Sequence, residues 1–307
     1  MRVLVTGGAG FIGSHVLRLL QGKAQVTVLD NLTSGSRSHI PSGMEFVEGD
    51  VRDAAVVEKL FAHRHFDAVI HLAAQTMVPD SIANPILDCQ INLKGLLQIL
   101  ENCRNYQVPH VLFSSSAAVY GDNPNVPLLE TETLQPLSPY GITKMTAEHY
   151  LRVYHELYGI NATVFRFANV YGERQGEKGE GGVISIFCRL LSGNQGVTIY
   201  GDGSQTRDFV YAGDIAQAMV AALPLTGFHF MNVSTGKETS LQDLLESFRK
   251  AVGHAFPIHY APPRTGDILR SVLSNERLKL TLGIEPAMEL SRGIARTYAW
   301  YKAQYGK

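Results

Sequence analysis

The sequence has few cysteines, and their number and placement exclude two kinds of site. Only three of the 307 residues are cysteine, Cys89, Cys103 and Cys188, and they are scattered along the chain. An odd and scattered set is not a disulfide framework, so we expect reduced thiols and a cytoplasmic location. The chain also has no CxxC pair and no HExxH segment, so we expect no metal site.

Long apolar runs and an excess of charge of either sign are missing as well. No run approaches the roughly 20 apolar residues that a membrane-spanning helix needs. The apolar stretch at 2–5 is too short for the apolar region of a signal peptide. The formal net charge of -1 and the pI of about 6.8 give no sign of a nucleic-acid or acidic membrane partner.

The sequence does contain a regular alternation of short apolar runs with longer helical segments. Strands that are apolar throughout and alternate with helices predict a parallel sheet covered on both faces, which is a Rossmann-type doubly wound α/β fold. The predicted strands are 2–6, 25–30, 44–50, 67–73, 110–116 and 161–167, and the predicted helices are 11–21, 53–63, 88–103 and 138–159.

After residue 168 this alternation loosens. The segment 172–182 is rich in glycine and charge, and the rest of the chain mixes helix and strand patterns. We therefore expect a doubly wound first domain at 1–168 and a smaller mixed α/β lobe at 169–307. The chain is expected to return to the first domain at about 207–237 and 272–284.

Three glycines, Gly7, Gly10 and Gly13, lie between the first predicted strand and the first predicted helix. Glycines at this point let the backbone turn tightly and approach a pyrophosphate at the positive end of the helix. Asp30 ends the next strand, where a carboxylate accepts hydrogen bonds from the adenosine ribose and repels a 2′-phosphate. This pattern predicts dinucleotide binding and favours NAD over NADP.

Two residues near this turn are open to more than one interpretation. Arg37 is the one nearby basic residue that favours the phosphorylated cofactor. Asp50 ends the third strand and is either an adenine contact or the N-cap of the next helix.

The segment YGITK places Tyr140 four residues before Lys144 on a predicted helix, so the two side chains share a face. The spacing alone is weak evidence, because Tyr298 and Lys302 have it too. Tyr140 follows the βα units and the strand that ends at Ser116. Tyr298 instead lies in an aromatic-rich terminal helix, where we expect its role to be packing of that helix. We therefore expect Ser116 to hold a substrate hydroxyl, Tyr140 to act as the base and the Lys144 ammonium to lower the pKa of Tyr140.

TGGAGFIG at 6–13, Asp30, HLAA at 71–74, the serines at 114–116 and YGITK together resemble the extended short-chain dehydrogenase/reductase family. Within it they are most similar to the UDP-galactose 4-epimerase branch, and the resemblance covers nearly the whole chain. It implies tightly held NAD, a Ser–Tyr–Lys trio, a C-terminal lobe that binds a UDP-sugar, and a homodimer through the helices near 80–105 and 139–158.

The resemblance also implies a set of cofactor contacts, with Lys144 on the nicotinamide ribose and Phe167 beside the nicotinamide. The full expected set is Gly7, Gly10, Phe11, Ile12, Gly13, Asp30, Asn31, Asp50, Val51, Leu72, Ala73, Ala74, Ser114, Tyr140, Lys144 and Phe167.

The reaction is indicated by two alanines. Related 4,6-dehydratases carry TDEVYG, in which Asp and Glu eliminate water, whereas this chain has Ala117 and Ala118 in SAAVYG. Alanine cannot transfer a proton. The remaining chemistry is oxidation at the sugar C4 and return of the hydride to the opposite face, which is 4-epimerisation.

The second lobe is expected to hold the nucleotide part of the substrate. By resemblance, Arg207, Arg264 and Asp267 contact the diphosphate and the uridine ribose, and Asn169 contacts the diphosphate; arginine suits phosphate oxygens. Gly182 and Val183 open a helix at a plausible anion or uracil site.

Ser271 stands where a bulky residue narrows the pocket around the sugar C2 substituent in the family. Serine is small, so we expect UDP-GlcNAc and UDP-GalNAc to fit as well as UDP-Glc and UDP-Gal.

Three alternatives stay open at this point. A UDP-glucuronate 4-epimerase needs a cation near C6, and the loop at 172–182 offers Arg174 and Lys178 but also three glutamates. Another nucleotide-sugar oxidoreductase of this family would release its cofactor. A non-catalytic NAD-binding regulator is disfavoured because all three residues of the trio are present.

Overall fold

The computed structural model describes residues 1–176, 181–263 and 268–306. The chain divides into two compact units. Unit 1 comprises Met1–Asp122, Glu130–Arg166 and Ala216–Met231, and unit 2 comprises Asn123–Leu129, Phe167–Ile215 and Asn232–Lys307.

The strands are, in chain order, β1 (Arg2–Thr6), β2 (Gln25–Asp30), β3 (Glu45–Glu48), β4 (Ala68–His71), β5 (His110–Ser116), β6 (Asn161–Phe167), β7 (Asn169–Tyr171), β8 (Val197–Tyr200), β9 (Thr206–Arg207), β10 (Phe209–Tyr211), β11 (Phe228–Val233), β12 (Thr239–Ser240), β13 (Ile258–Ala261) and β14 (Arg270–Ser271).

The helices are α1 (Phe11–Leu20), α2 (Ala54–Ala62), α3 (Val78–Ala83), α4 (Pro85–Cys89), α5 (Gly95–Asn105), α6 (Pro139–Tyr158), α7 (Val183–Ser192), α8 (Ala212–Ala221), α9 (Leu241–Val252), α10 (Glu276–Leu282) and α11 (Leu290–Tyr305). A π-helical turn, Gln90–Lys94, joins α4 to α5, and short 3₁₀ turns occur at Arg37–His39 and Ala117–Val119.

Unit 1 is built on a seven-stranded parallel sheet in the order β11-β6-β5-β4-β1-β2-β3. From β1 the chain runs outward to β2 and β3, then returns to the other side of β1 with β4. Ligands bind outside the carboxyl ends of the strands at such a switch in direction. The predicted doubly wound parallel sheet is confirmed.

Helix α6, which carries YGITK, has clear sequence signals at both ends. The Ser138 side chain accepts a hydrogen bond from the backbone N–H of Gly141 at 3.1 Å, and Pro139 occupies the first turn, where its missing N–H costs nothing. Gly159 ends the helix with a left-handed φ of 69°, which glycine adopts without strain. Tyr140 is therefore held in the first turn of a helix with a fixed start.

Unit 2 is a mixed α/β unit with its own apolar core. Its small sheets include the pair β7 and β10, the pair β8 and β13, and the group β12-β9-β14. Helix α11 packs against α7 and α9. Tyr298 is 5% exposed within this core, so its role is packing, as its sequence context predicts.

Some expected absences can be examined in the described part of the chain. Cys89 is exposed, Cys103 and Cys188 are buried, and all three are free. Among the described residues, no helix combines the length and apolar character needed to cross a bilayer.

Candidate active site

The glycine turn after β1 brings separate backbone segments into close contact. Gly7 has a φ of 69°, and a Cβ at this position would lie 2.6 Å from the backbone nitrogen of Ala73. A Cβ on Gly13 would lie 2.3 Å from the carbonyl oxygen of Gly7. Glycine is required at both positions, because any side chain would separate Leu72–Ala74 from the turn or the turn from α1.

The N-terminus of α1 suits an anion. Gly10 is its N-cap, so no side chain caps the helix, and its first turn contains no acidic residue. The backbone N–H groups of this turn, which includes Phe11 and Ile12, therefore face no negative charge of the helix itself. The turn and the helix dipole fit the pyrophosphate of a dinucleotide.

Asp30 lies beside this turn and is 8% exposed. Its Oδ2 accepts a hydrogen bond from the backbone of Ala9, and its Oδ1 accepts one from Leu32, both at 2.9 Å. Since each carboxylate oxygen can accept more than one hydrogen bond, the oriented carboxylate also fits ribose hydroxyls. Arg37 instead lies over the ring of Phe46, 5.0 Å from its centroid, which agrees with NAD rather than NADP.

The N-cap interpretation of Asp50 is wrong. Asp53 caps α2, because its Oδ1 accepts hydrogen bonds from the backbone of the first turn. Asp50 instead binds the guanidinium of Arg52 through both oxygens, at 2.8 and 2.7 Å, and accepts a hydrogen bond from Asn31 at 2.9 Å. These hydrogen bonds, above all that from Arg52, hold the pKa of Asp50 well below its usual range. Val51 beside it is buried. The predicted cofactor contacts of Asn31, Asp50 and Val51 stay predictions.

The three residues of the predicted trio come together at the carboxyl end of β5. Ser116 ends this strand, and a hydrogen bond joins its side chain to Tyr140. The Nζ of Lys144 lies 5.8 Å from the centroid of the Tyr140 ring and donates a hydrogen bond to the carbonyl of Ser114 at 2.7 Å. The strand end therefore orients both members of the Tyr–Lys pair.

We expected the Lys144 ammonium to lower the pKa of Tyr140, and for the protein's own groups this expectation is wrong. Burial raises the pKa of Tyr140 to about 12; the hydrogen bond with Ser116 opposes the rise, and the negative charge of Asp88 adds to it. Tyr140 is therefore a neutral phenol near pH 7 unless further positive charge is brought to it.

Lys144 is buried beside the aromatic ring of Phe113, with Nζ 4.8 Å from the ring centroid. Burial lowers the pKa of Lys144 to about 8, while the charges of Asp88 and Glu148 oppose the shift. Burial, with a smaller contribution from Lys144, lowers the pKa of His71 to about 3, so this imidazole is neutral.

Two buried acids behind the trio were not predicted, Asp88 and Glu148. Glu148 follows Lys144 by four residues, so the helical spacing that joins Tyr140 to Lys144 could have identified it. Asp88 is bound by Asn92, four residues on, but the residue that attaches it to the trio's helix, Thr143, is 55 positions away and gives no local signal.

Immediately after Ser116 the chain forms the 3₁₀ turn of Ala117 and Ala118. The Ser116 Oγ accepts a hydrogen bond from the backbone of Ala118 at 3.2 Å, so the two alanines follow the trio's serine directly. No side chain that transfers protons stands at these two positions.

In unit 2, the structure brings two of the predicted substrate residues together. Arg207 in β9 and Ser271 in β14 lie directly opposite each other in a parallel pair. Asn169 is exposed in β7, where its backbone binds that of Asp208 at 2.9 Å. Phe167, at the end of β6, is buried.

The predicted helix opening is present at Val183, with Gly182 as an N-cap that provides no side-chain hydrogen bond. Arg264 and Asp267, two other predicted substrate contacts, lie outside the described residues.

Comparison with known proteins agrees with this arrangement. Residues 3–233 match the model of the NAD dependent epimerase/dehydratase family. UDP-glucose 4-epimerase from Thermotoga maritima, solved with UDP-glucose, superposes with a TM-score of 0.96 at 38% identity, covering 99% of both chains. The Thermus thermophilus enzyme, solved with NAD, gives 0.92 at 41% identity, covering 98% of this chain and 99% of that one.

A third similar structure is that of a 4-epimerase named for an N-acetylated sugar. UDP-N-acetylglucosamine 4-epimerase from Methanobrevibacter ruminantium, in complex with UDP-N-acetylmuramic acid, superposes with a TM-score of 0.93 at 34% identity, covering 99% of this chain and 98% of that one. The glycine turn, the oriented acid and the Ser–Tyr–Lys trio thus occur in a chain that belongs to the NAD dependent epimerase/dehydratase family.

Proposed function

We propose that this protein is a UDP-glucose 4-epimerase that oxidises its sugar transiently at C4 with NAD and reduces it again from the opposite face. One observation carries the proposal: the Ser116–Tyr140–Lys144 trio is followed directly by Ala117 and Ala118. The trio supplies proton transfer at a hydroxyl-bearing carbon, and the two alanines leave out the groups that elimination needs.

Tyr140 takes the proton of the C4 hydroxyl in the first half of the reaction and returns it in the second half. Ser116 holds the C4 oxygen within reach of the phenol through the hydrogen bond that joins it to Tyr140. NAD, when bound, would supply the acceptor and donor of the hydride, and its oxidised ring would add positive charge to the site. Because burial raises the pKa of Tyr140 to about 12 and the protein's own groups do not bring it into the neutral range, the positive charge of the bound cofactor is what would make the phenol acidic enough to act.

The residues that hold the cofactor are those around the glycine turn. Gly7, Gly10 and Gly13 leave room for the pyrophosphate, and Asp30 accepts hydrogen bonds from the adenosine ribose. The Lys144 ammonium, which is tied to Ser114, is the proposed donor to the nicotinamide ribose, and its hydrogen bond at the strand end supports this role.

The proposed substrates are UDP-glucose and UDP-galactose together with the N-acetylated pair. Arg207 contributes a guanidinium suited to a diphosphate. Ser271, opposite Arg207 in the strand pair, adds little bulk where the family narrows the C2 pocket. UDP-glucuronate is the alternative substrate. In the loop that would face its carboxylate in that case, the described residue Glu173 accepts hydrogen bonds from the Tyr211 hydroxyl at 2.6 Å and from the Arg296 guanidinium.

The assembly proposed is a homodimer through α3, α4 and α6 of unit 1. These helices pack on one another and expose large apolar side chains. Ile82 and Ile86 are 63% and 71% exposed, and Leu157 is 67% exposed. Tyr150 and Val153 continue the α6 stripe at helical spacing. Light scattering tests this proposal: the native chain is expected at twice the monomer mass and Leu157→Glu at monomer mass.

The function is tested by incubating the purified protein separately with UDP-Glc, UDP-GlcNAc and UDP-GlcA and resolving the C4 epimers by chromatography. We expect UDP-Glc and UDP-GlcNAc to be converted with trace cofactor and no net NADH. Stoichiometric NADH would make the protein a dehydrogenase, and turnover of UDP-GlcA alone would make it a uronate epimerase.

A further inference from the structure

Asp88 is a fully buried carboxylate close to the trio that the reaction described above does not use. It lies in α4, just before the π-helical turn, and its side chain is 0% exposed. A charge of this kind is costly to bury unless it is bound or has a function.

Two side chains bind Asp88 directly. Its Oδ2 accepts a hydrogen bond from the Thr143 hydroxyl at 2.8 Å, and its Oδ1 accepts one from the Asn92 amide at 3.1 Å. Thr143 lies in α6 between Tyr140 and Lys144. The carboxylate is therefore attached to the helical turn that carries the catalytic pair.

Asn92 connects this attachment to a third part of unit 1. Its Oδ1 accepts a hydrogen bond from the Gln75 backbone at 2.9 Å, and its Nδ2 lies 3.1 Å from the Gln75 carbonyl. Asn92 belongs to the π-helical turn, where one extra residue widens the helix. Such turns often occur at functional sites. Asp88, Asn92 and Thr143 thus form a rigid bridge between the segment after β4 and the start of α6.

The charge of Asp88 acts mainly on α6. Its negative charge favours the protonated forms of Lys144 and Tyr140 on that helix, so it opposes the lowering of the Lys144 pKa and adds to the rise of the Tyr140 pKa. No lysine or arginine in the described part of the chain forms an ion pair with Asp88. Burial raises the pKa of Asp88, whereas the hydrogen bond from Thr143, the charge of Lys144 and the hydrogen bond from Asn92 oppose this rise and favour the charged form.

The other groups near Lys144 do not replace this charge. Glu148 also faces Lys144, but its carboxylate is bound to the Arg166 guanidinium at 2.6 Å, which offsets its charge. His71, from β4, is neutral. Asp88 is thus the acid near Lys144 whose charge no other cation offsets.

We propose that Asp88 is a positioning residue of the active site, which supplies the counter-charge for Lys144 and fixes the first turn of α6 through Thr143. This role rests on the proposed epimerase function, because it concerns the proton transfer by Tyr140. The charge of Asp88 and its hydrogen bond with Thr143 can be removed separately by two variants. Asp88→Asn removes the charge and keeps the shape, whereas Thr143→Val removes the hydrogen bond and keeps the charge.

Asp88→Asn is expected to move the whole kcat–pH profile to lower pH. Without the negative charge the ammonium of Lys144 is lost at lower pH, which moves the alkaline limb, and Tyr140 ionises at lower pH, which moves the acidic limb. We expect shifts of about one pH unit, with kcat near pH 8.5 reduced about tenfold and KM for UDP-glucose within about twofold. Thr143→Val is expected to lower kcat without moving either limb.

The matched control is Asp80→Asn, which removes an exposed acid from the neighbouring helix α3. It is expected to leave the profile in place. A merely structural role for Asp88 would lower kcat at every pH and shift neither limb, and that result would overturn the proposal.

A measurement without turnover separates this proposal from the proposed function. In the NAD-loaded native protein, carbon-13 NMR of labelled Asp and Lys follows the Asp88 carboxyl and the Lys144 Cε as the pH changes, with Asp88→Asn and Lys144→Arg assigning the signals. We expect Asp88 to be ionised at pH 7 and the Lys144 midpoint to fall in Asp88→Asn. An Asp88 that is protonated at pH 7 in the native protein would overturn the proposal, even if Asp88→Asn did not fold. Absence of epimerase activity in the native protein would instead contradict the proposed function.

Discussion

The Nζ of Lys144 lies 5.8 Å from the centroid of the Tyr140 ring, and the same ammonium is tied to the strand end by its 2.7 Å hydrogen bond to Ser114. In the second pair of equal spacing, Tyr298 and Lys302, the tyrosine is buried in the core of unit 2. The proposed catalytic pair can therefore be compared with a packing pair of the same spacing in the same chain.

Tyr140→Phe is expected to reduce kcat for UDP-glucose by about 10² to 10⁴-fold, because it removes the group that transfers the proton. Binding of NAD should change little, since the glycine turn and Asp30 are intact. The control is Tyr298→Phe, which removes a hydroxyl from the packing pair and should keep kcat within about twofold. Steady-state kinetics on both variants checks the prediction; equal effects would remove the catalytic assignment.

Asp30→Asn is expected to weaken NAD binding by about 10- to 100-fold, the worth of charge-assisted hydrogen bonds to the ribose. The variant should also lose discrimination against NADP, since the charge that repels a 2′-phosphate is gone. Asp53→Asn is the control, because it alters an acid that caps α2 and lies outside the predicted site. Calorimetric titration with each cofactor measures the outcome, and an unchanged NAD to NADP ratio would contradict the role given to Asp30.

The sequence predicted the sheet well, because each strand is a short apolar run with polar ends. Four predicted strands, 2–6, 25–30, 110–116 and 161–167, have the observed bounds. The helix predicted at 88–103 is instead α4, a π-helical turn and α5, and the six-residue helix α3 was not predicted. A six-residue helix is too short to show an apolar period, and a π-helical turn preserves the helical composition.

Site residues that belong to a contiguous motif were predictable from the sequence, whereas the pKa values that burial sets were not. Spacing placed Tyr140 and Lys144 on one face of α6, but it could not give the burial that raises the pKa of Tyr140 to about 12. Asp88 was missed because its hydrogen bond with Thr143, which attaches it to α6, is made across the fold. The register that places Ser271 opposite Arg207 depends on strand pairing that spacing does not specify.

Ser271→Tyr is expected to reduce turnover of UDP-GlcNAc by at least about tenfold and to leave turnover of UDP-glucose within about threefold. The reason is steric, because a bulky ring at this position removes the room for a C2 acetamido group. Ser271→Ala is the matched control and should retain both activities. Measuring kcat/KM for the two sugars in each variant tests this, and a parallel loss on both sugars would count against Ser271 as the specificity residue.

Removing one partner of the buried ion pair between Glu148 and Arg166 should strongly reduce the stability of the fold. The Arg166 guanidinium binds the Glu148 carboxylate at 2.6 Å, with the two side chains only 6% and 9% exposed. Further hydrogen bonds join Arg166 to Tyr120 at 2.9 Å and Ser115 to Glu148 at 2.5 Å. Removing one charge leaves the other buried and unpaired.

Glu148→Leu is therefore expected to lower the free energy of unfolding by about 3–5 kcal/mol. The double variant Glu148→Leu/Arg166→Leu should recover a large part of this loss, since no unpaired charge remains. The control is Glu246→Gln, which breaks the exposed ion pair with Arg249 on α9 and should cost less than about 1 kcal/mol. Urea denaturation of the four proteins gives the comparison. A double variant as unstable as Glu148→Leu would mean that packing and hydrogen bonds, rather than the uncompensated charge of Arg166, dominate the loss.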